Sequence, residues 1–419
     1  MLKRNILAKI WEKIDSPEIL LLNGPRQVGK TTLMQLIKEK LVTDRGIKPN
    51  NILWFDLEKS EDLLVWFKQI TALAALPTKD KQNKYYLFID EFQKSETIGS
   101  TLKVLHDHHP NFKAIITGSA SWYLNLDESM AGRKRVFPIW PFGFGEFLDQ
   151  APFERVKSIY QIINQQPSAA TADSLALVNN AFLEFLTYGG YPAVITAVKK
   201  QEKEAILSEI INSYILRDIK IYNYSANTLQ VKKILTLLAD QIAGLLDINR
   251  LASDSGLGRV ALINRLDLLE NTFILKLITP YFTNKTKELV KNPKIFLVDF
   301  GLRNSLLDNF SIQPQTQNFG QLAENFAIME LLKNETAETN KINYWRTKTG
   351  QEVDLVLKRG QNLAPVEIKS GQENNIPDNL KKFIKKYQPR EALVLNWNTV
   401  KELKFEKTLV KFRPLWFII

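Results

Sequence analysis

Residues 20–32 read Leu20-Leu21-Leu22-Asn23-Gly24-Pro25-Arg26-Gln27-Val28-Gly29-Lys30-Thr31-Thr32. An apolar run leads into the pattern GxxxxGK[ST], and an amphipathic helical pattern follows. A strand before and a helix after is the context in which this pattern, the Walker A motif, forms a phosphate loop (P-loop). Glycines let the backbone N–H groups of residues 24–32 wrap phosphates, and the helix N-terminus adds positive potential. Lys30 is expected to reach the β- and γ-phosphates, and the Thr31 hydroxyl to ligand Mg²⁺.

Sixty positions after Lys30, the run Tyr85-Tyr86-Leu87-Phe88-Ile89-Asp90-Glu91 ends an apolar strand in two carboxylates. With a phosphate loop upstream, Asp90 is expected to hold the Mg²⁺ hydration shell. Glu91 is expected to orient and polarise the attacking water. The next apolar run, AIITGSAS, carries Thr117 and Ser119. Either hydroxyl could contact the γ-phosphate or the water, or simply end the strand. Expected strands at 18–23, 52–56, 85–90 and 113–117, separated by helix-like stretches, have the rhythm of a parallel sheet. The guanine-specific pattern N/TKxD is absent: Asn83-Lys84-Tyr85-Tyr86 and Asn284-Lys285-Thr286-Lys287 both lack the aspartate. ATP is therefore the expected nucleotide.

The 419 residues suggest about two to four domains. The formal net charge is +11, which suits an anionic partner without specifying one. There is no cysteine, which excludes disulfides, thiol nucleophiles and iron–sulfur clusters. The three histidines, His106, His108 and His109, crowd one stretch and read as the end of a helix. No HExxH helix is present. The charged N-terminus lacks an apolar signal core, and no stretch of about 18 apolar residues occurs, so a cytoplasmic protein without a membrane span is expected.

The runs GPRQVGKTTL, FDLE, FIDEFQK, ITGSAS, AGRKRVFPIWPFGFGEFL and YGGYP, in this order, resemble a prokaryotic AAA-type ATPase family. The likeness extends over nearly the whole chain. It implies an AAA-type P-loop core using ATP and Mg²⁺, and self-association into a homo-oligomer. Arg133 in AGR matches the family's arginine, expected to reach the γ-phosphate in cis or from a neighbour; a surface basic cluster with Lys134 and Arg135 is the alternative. Arg217 in YILRDI is a weaker candidate of the same kind. The expected fold is α/β, in four parts: a P-loop parallel-sheet core at 1–150, a helical lid at 151–230, a winged helix at 231–310, and an α/β nuclease-like domain at 311–419.

Within 231–310, residues 248–255, the turn Gly256-Leu257-Gly258 and residues 259–271 read as helix, turn, helix. Val260, Ile263, Leu266 and Leu269 recur at three-residue steps. Two apolar runs, 273–278 and 295–300, could form a wing, and the resemblance also implies a winged helix here. Arg259, Asn264 and Arg265 are available for DNA, offset by Asp267 and Glu270; protein contact is the other use of such a module.

The C-terminal segment holds two alternating runs flanking Gly360-Gln361, a pattern for a two-residue type II′ turn. Paired residue numbers then sum to 721, so Asp354 faces Glu367 and Glu352 faces Lys369. Two carboxylates directly opposite, roughly 5 Å apart at Cβ, are destabilising unless something compensates. This is the arrangement of a PD-(D/E)xK nuclease hairpin, with Asp354 and Glu367 binding Mg²⁺ and Lys369 stabilising developing charge or positioning water. The resemblance adds Glu324 as a further metal ligand. Three outcomes stay open: metal-dependent cleavage, a retained fold that binds a partner without cutting, and a plain charged surface. Three roles follow for the whole chain: an ATP-driven nucleic-acid enzyme, a nucleotide-switched signalling or scaffold ATPase, and a membrane-peripheral ATPase. The last calls for a basic amphipathic helix, for which residues 379–387 are the candidate. The basic run 381–390 is also where phosphate contacts are expected.

Overall fold

A computed structural model of the chain describes residues 3–59, 65, 84–94, 98–119, 130–150, 152–215, 228–282, 291–334 and 341–417. Arg217 lies outside them, and Ser119 is described in its backbone only. The chain forms two compact units, Lys3–Trp140 with Asn271–Phe273, and Pro141–Glu270 with Ile274–Ile419. Three of the four expected segments thus lie almost wholly in the second unit.

The first unit is built on five parallel strands, β1 (Ile19–Gly24), β2 (Ile52–Asp56), β3 (Tyr85–Asp90), β4 (Phe112–Ser119) and β5 (Lys134–Pro138). Their order is β2-β3-β4-β1-β5. Every residue of β1 is buried, as a central parallel strand covered on both faces requires. The flanking strands and helices supply one core of Ile19, Leu21, Leu87, Ile89, Leu102, Leu105 and Ile116. The helix Lys30–Arg45 buries Leu33, Met34, Ile37 and Leu41 and stops at Gly46 in the left-handed conformation. Strand β5 was not legible in the sequence. It is a half-exposed edge strand, KRVFP, without the apolar run that marks buried strands.

In the second unit, helices occupy most of residues 154–209, broken at Tyr188-Gly189-Gly190-Tyr191-Pro192. Phe144, from the FGFGEF run, is fully buried, with ring centroids of Phe182 and Phe185 each 5.6 Å away. Its backbone N–H donates to both oxygens of buried Glu330, at 3.1 Å each. Burial pushes the Glu330 carboxyl up to about 7, opposed by Lys333 and by this N–H. An acid whose folded pKa exceeds its unfolded value near 4.5 binds its proton more tightly when folded, so its contribution to stability falls as pH rises from about 4.5 to 7. Thermal unfolding from pH 5 to 8 should therefore show Glu330→Gln gaining on the wild type with rising pH. A constant gap would contradict this.

The helices Ile248–Ser255 and Arg259–Asn271 are joined by a turn through Gly256 and followed by an antiparallel pair, β6 (Leu275–Ile278) and β7 (Lys294–Leu297). The expected apolar stripe of the second helix is corrected. Leu262, Leu266 and Leu269 are buried, with Arg265 between them, whereas Val260 is 73% exposed. Three-residue steps drift around a helix of 3.6 residues per turn, so Val260 and Leu269 lie about 180° apart.

The C-terminal part is a six-stranded mixed sheet of β8 (Lys341–Arg346), β9 (Glu352–Arg359), β10 (Asn362–Ile368), β11 (Glu391–Asn396), β12 (Lys401–Phe405) and β13 (Thr408–Pro414), in the order β12-β13-β11-β10-β9-β8. The hairpin of β9 and β10 has the expected register from Arg359↔Asn362 to Leu355↔Val366, with Gly360 at φ +61°. Strands β11, β12 and β13 follow the helix Asp378–Tyr387, and β8 was not foreseen. The basic helix Asp378–Tyr387 buries its apolar face, Leu380, Phe383 and Ile384, in a core with Trp345, Val353 and Val394. That face is used inside the protein, which removes this helix as a membrane anchor. Among the described residues no helix is long and apolar enough to cross a membrane.

Candidate functional site

At the carboxyl end of β1 the chain turns through residues 24–29 into the helix Lys30–Arg45. Gly29 sits at φ +89°, a conformation that costs other residues more, and no side chain caps the helix. Its first-turn N–H groups are therefore available to an anion. Arg26 and Pro25 are half-buried, Gln27 and Thr32 are exposed, and Val28 is fully buried. The Lys30 ammonium, 6% exposed, donates to the carbonyls of Gly24 (3.0 Å) and Pro25 (2.8 Å).

Because β4 lies between β1 and β3, its residues separate the loop from the carboxylates. The Asp90 Oδ2 accepts from the Thr31 hydroxyl at 2.6 Å, and its Oδ1 from the Thr117 hydroxyl. Of the two hydroxyls named from the sequence, that of Thr117 thus lies on Asp90; the Ser119 backbone pairs in register with Gly24. Glu91 adopts φ +52°, rare for a residue with a side chain, and its N–H faces Asp90 Oδ1 (3.2 Å) and Thr117 Oγ1 (3.3 Å). The Gln93 amide donates to Glu91 Oε2. Sequence reasoning missed Gln93, although it stands two positions on in FIDEFQK.

Arg133 precedes β5, and its carbonyl accepts from the N–H of Ile19, at the start of β1. It therefore sits at the amino end of the sheet, about 16 Å of strand away from the phosphate loop. A reach to the γ-phosphate in cis is corrected on that ground. Its guanidinium instead holds Asp107 at 2.8 and 3.0 Å.

The fit to nucleotide and magnesium rests on three features. The helix end is uncapped, a buried ammonium rests on loop carbonyls, and a carboxylate is shared by two hydroxyls. Residues 16–148 match the family model described as an AAA domain. This segment is thus similar to P-loop domains of AAA type. Further matches are to two domains of unknown function, DUF8612 over 179–313 and DUF4143 over 319–415. An uncharacterized protein of Haemophilus influenzae is 27% identical, over 87% of this chain and 86% of its own length. An uncharacterized protein of Methanocaldococcus jannaschii is 25% identical, over 85% and 75%. Among solved structures, the Aeropyrum pernix ORC2 protein in ADPNP–ADP complexes aligns at TM-score 0.34 and 13% identity, over 65% of this chain and 85% of that one. PCH-2 of C. elegans aligns at TM-score 0.29 and 13% identity, over 64% and 70%.

Beyond the AAA domain, the second unit gathers the predicted C-terminal residues. Glu324 on the helix Phe319–Asn334 and Glu352 and Asp354 on β9 bring carboxylate oxygens within 4.8 Å of one another. Lys294 on β7, which sequence reasoning missed, puts its ammonium 2.5 Å from both Glu324 and Glu352. The expected pairing of Glu352 with Lys369 is corrected: Glu352 also holds Arg346 (2.8 Å), and Lys369 holds Glu367 (2.8 Å). The hairpin ladder stops at Leu355, beyond which β9 pairs only with β8. Asp354 Oδ2 accepts from the Ile368 N–H at 2.7 Å. Glu367 is 3% exposed, and among the described residues its Oε2 has no hydrogen-bond partner. Burial, then the neighbouring Asp354, pushes Glu367 up to about 7. Burial would depress Lys294, but the carboxylates of Glu324, Glu352 and Asp354 outweigh it and keep the ammonium charged.

Proposed function

We propose that the protein hydrolyses ATP in a magnesium-dependent reaction at the phosphate loop. The observation that carries this reading is Asp90, whose carboxylate takes the hydroxyls of Thr31 and Thr117 at once. Thr31 and Asp90 would hold magnesium, which when bound neutralises phosphate charge. Lys30 leaves the Gly24 and Pro25 carbonyls for phosphate oxygens, joined by the N–H groups of the loop and first helical turn. Thr117 keeps Asp90 oriented. Glu91 accepts from the attacking water and polarises it, and Gln93 positions the Glu91 carboxylate.

Glu91→Gln tests this directly. The amide keeps the shape of the side chain but cannot take the water's proton. The variant should bind ATP like the wild type while single-turnover hydrolysis falls on the order of 10²-fold. Hydrolysis at wild-type rate would sink the role of Glu91. Because Arg133 lies at the far end of its own sheet, a γ-phosphate contact by this residue belongs to a neighbouring copy in a homo-oligomer.

For the second unit, the helix–turn–helix with its strand pair reads as a winged helix and the C-terminal sheet as a nuclease-like fold. Two observations favour the partner-binding, non-cleaving reading over cleavage. Lys294 sits among the carboxylates that a metal would need. Arg265, one of the three groups named for DNA, is buried. On this reading nucleotide state in the first unit switches a protein contact made by the second.

A further inference from the structure

We propose that Lys294 is the resident cation of the C-terminal carboxylate cluster, and that its ammonium and a divalent metal ion are mutually exclusive occupants. The proposal does not depend on the ATPase reading.

The geometry of substitution is direct. Divalent ions sit roughly 2.0–2.6 Å from carboxylate oxygens. The Lys294 Nζ sits 2.5 Å from an oxygen of Glu324 and 2.5 Å from one of Glu352. It therefore fills the space where an ion shared by those two residues would stand. A metal ion beside a retained ammonium would meet both steric overlap and like-charge repulsion in a poorly solvated site.

The lysine is held in place by the surrounding structure. Its residue is paired to Ile278 in the β6–β7 ladder, and its side chain is 3% exposed. Its Nζ lies 5.4 Å from the centre of the Tyr344 ring, and the Tyr344 hydroxyl donates to the Asn292 carbonyl at 2.6 Å. Asn325 fixes the other side. Its amide accepts from the Leu297 N–H and donates to the Leu297 carbonyl, both at 2.8 Å. That clamp locks the helix carrying Glu324 onto the strand carrying Lys294.

A second, independent observation is a buried carboxylate oxygen beside Asp354. The Glu367 Oε2 is buried and, among the described residues, unpartnered. A single ammonium with two short bonds serves Glu324 and Glu352 and leaves this oxygen unmatched. Asp354 is a charged neighbour of Glu367, so an ion held by both would satisfy it, provided the ammonium withdrew.

The test is Mn²⁺ binding to the full-length protein, read by electron paramagnetic resonance and calorimetry. With nucleotide removed, so that Thr31 and Asp90 lack the phosphate oxygens that complete their metal site, wild type should show no site tighter than millimolar. Lys294→Met should bind Mn²⁺ at least tenfold more tightly, and Lys294→Met/Asp354→Asn should lose that gain. Lys294→Met leaves buried carboxylates without a counter-charge, so Lys294→Met/Glu352→Gln, which removes one charge of each sign, is measured beside it. If both unfold without metal, recovery of native circular dichroism on adding Mn²⁺ supports the proposal, and no recovery overturns it. Wild-type affinity equal to that of Lys294→Met overturns it, as does a folded Lys294→Met that binds no Mn²⁺.

Discussion

Lys30→Ala is expected to lower ATP turnover on the order of 10²–10³-fold while leaving the protein folded. The ammonium lies against the loop carbonyls and is 6% exposed there. It donates to the Gly24 and Pro25 carbonyls, neutral acceptors whose loss costs only about 1–3 kcal/mol. The loss falls instead on the transition state, where charge gathers on the phosphoryl oxygens and a buried donor counts most. Lys30→Arg should not restore turnover, because a planar guanidinium cannot take the place of a compact ammonium inside the loop. Phosphate release and thermal unfolding measured together separate the effects. Turnover within a few-fold of wild type would sink the assignment of this loop as the reaction site.

Asp299→Ala is expected to destabilise the second unit by about 3–5 kcal/mol. Asp299 is 1% exposed and joins two elements. Its Oδ2 accepts from the Gly190 N–H at 2.7 Å, and its Oδ1 from the Leu302 N–H at 3.1 Å, which caps the helix Phe300–Leu306. Burial raises the carboxyl's affinity for its proton, while Lys333 and these N–H groups oppose that. The alanine variant leaves two buried donors without an acceptor and opens a cavity. Gly190 is held close on its other side as well, since a Cβ there would lie 2.2 Å from the Phe142 carbonyl oxygen. The YGGYP break thus works as a packing joint. Denaturant unfolding should place Asp299→Asn between alanine and wild type, because the amide retains one acceptor. A loss below about 1 kcal/mol for alanine would contradict this account.

What was legible in the sequence was short-range. The phosphate loop spans nine consecutive residues, and its strand and helix follow from adjacent periodicity. The β9–β10 register was equally readable, because a two-residue turn through Gly360 sets every pair that follows until the ladder ends at Leu355. The same arithmetic failed for Glu352 and Lys369, which lie beyond that point. Edge strand β5 was missed because it lacks an apolar run, and the buried face of the helix Arg259–Asn271 was misread because three-residue steps drift around a helix of 3.6 residues per turn.

The sequence by itself determined the chemistry present: a phosphate loop, a carboxylate pair after an apolar strand, and a carboxylate hairpin. Only the tertiary structure decided which groups meet. Strand order put Thr117 on Asp90, and the β1–β5 register put Arg133 at the far end of the sheet. Folding brought Lys294 onto Glu324, 30 residues away, and onto Glu352. The physical reason is range. Backbone conformation answers to near neighbours along the chain, whereas a buried charge answers to whatever charge the fold sets within a few ångströms.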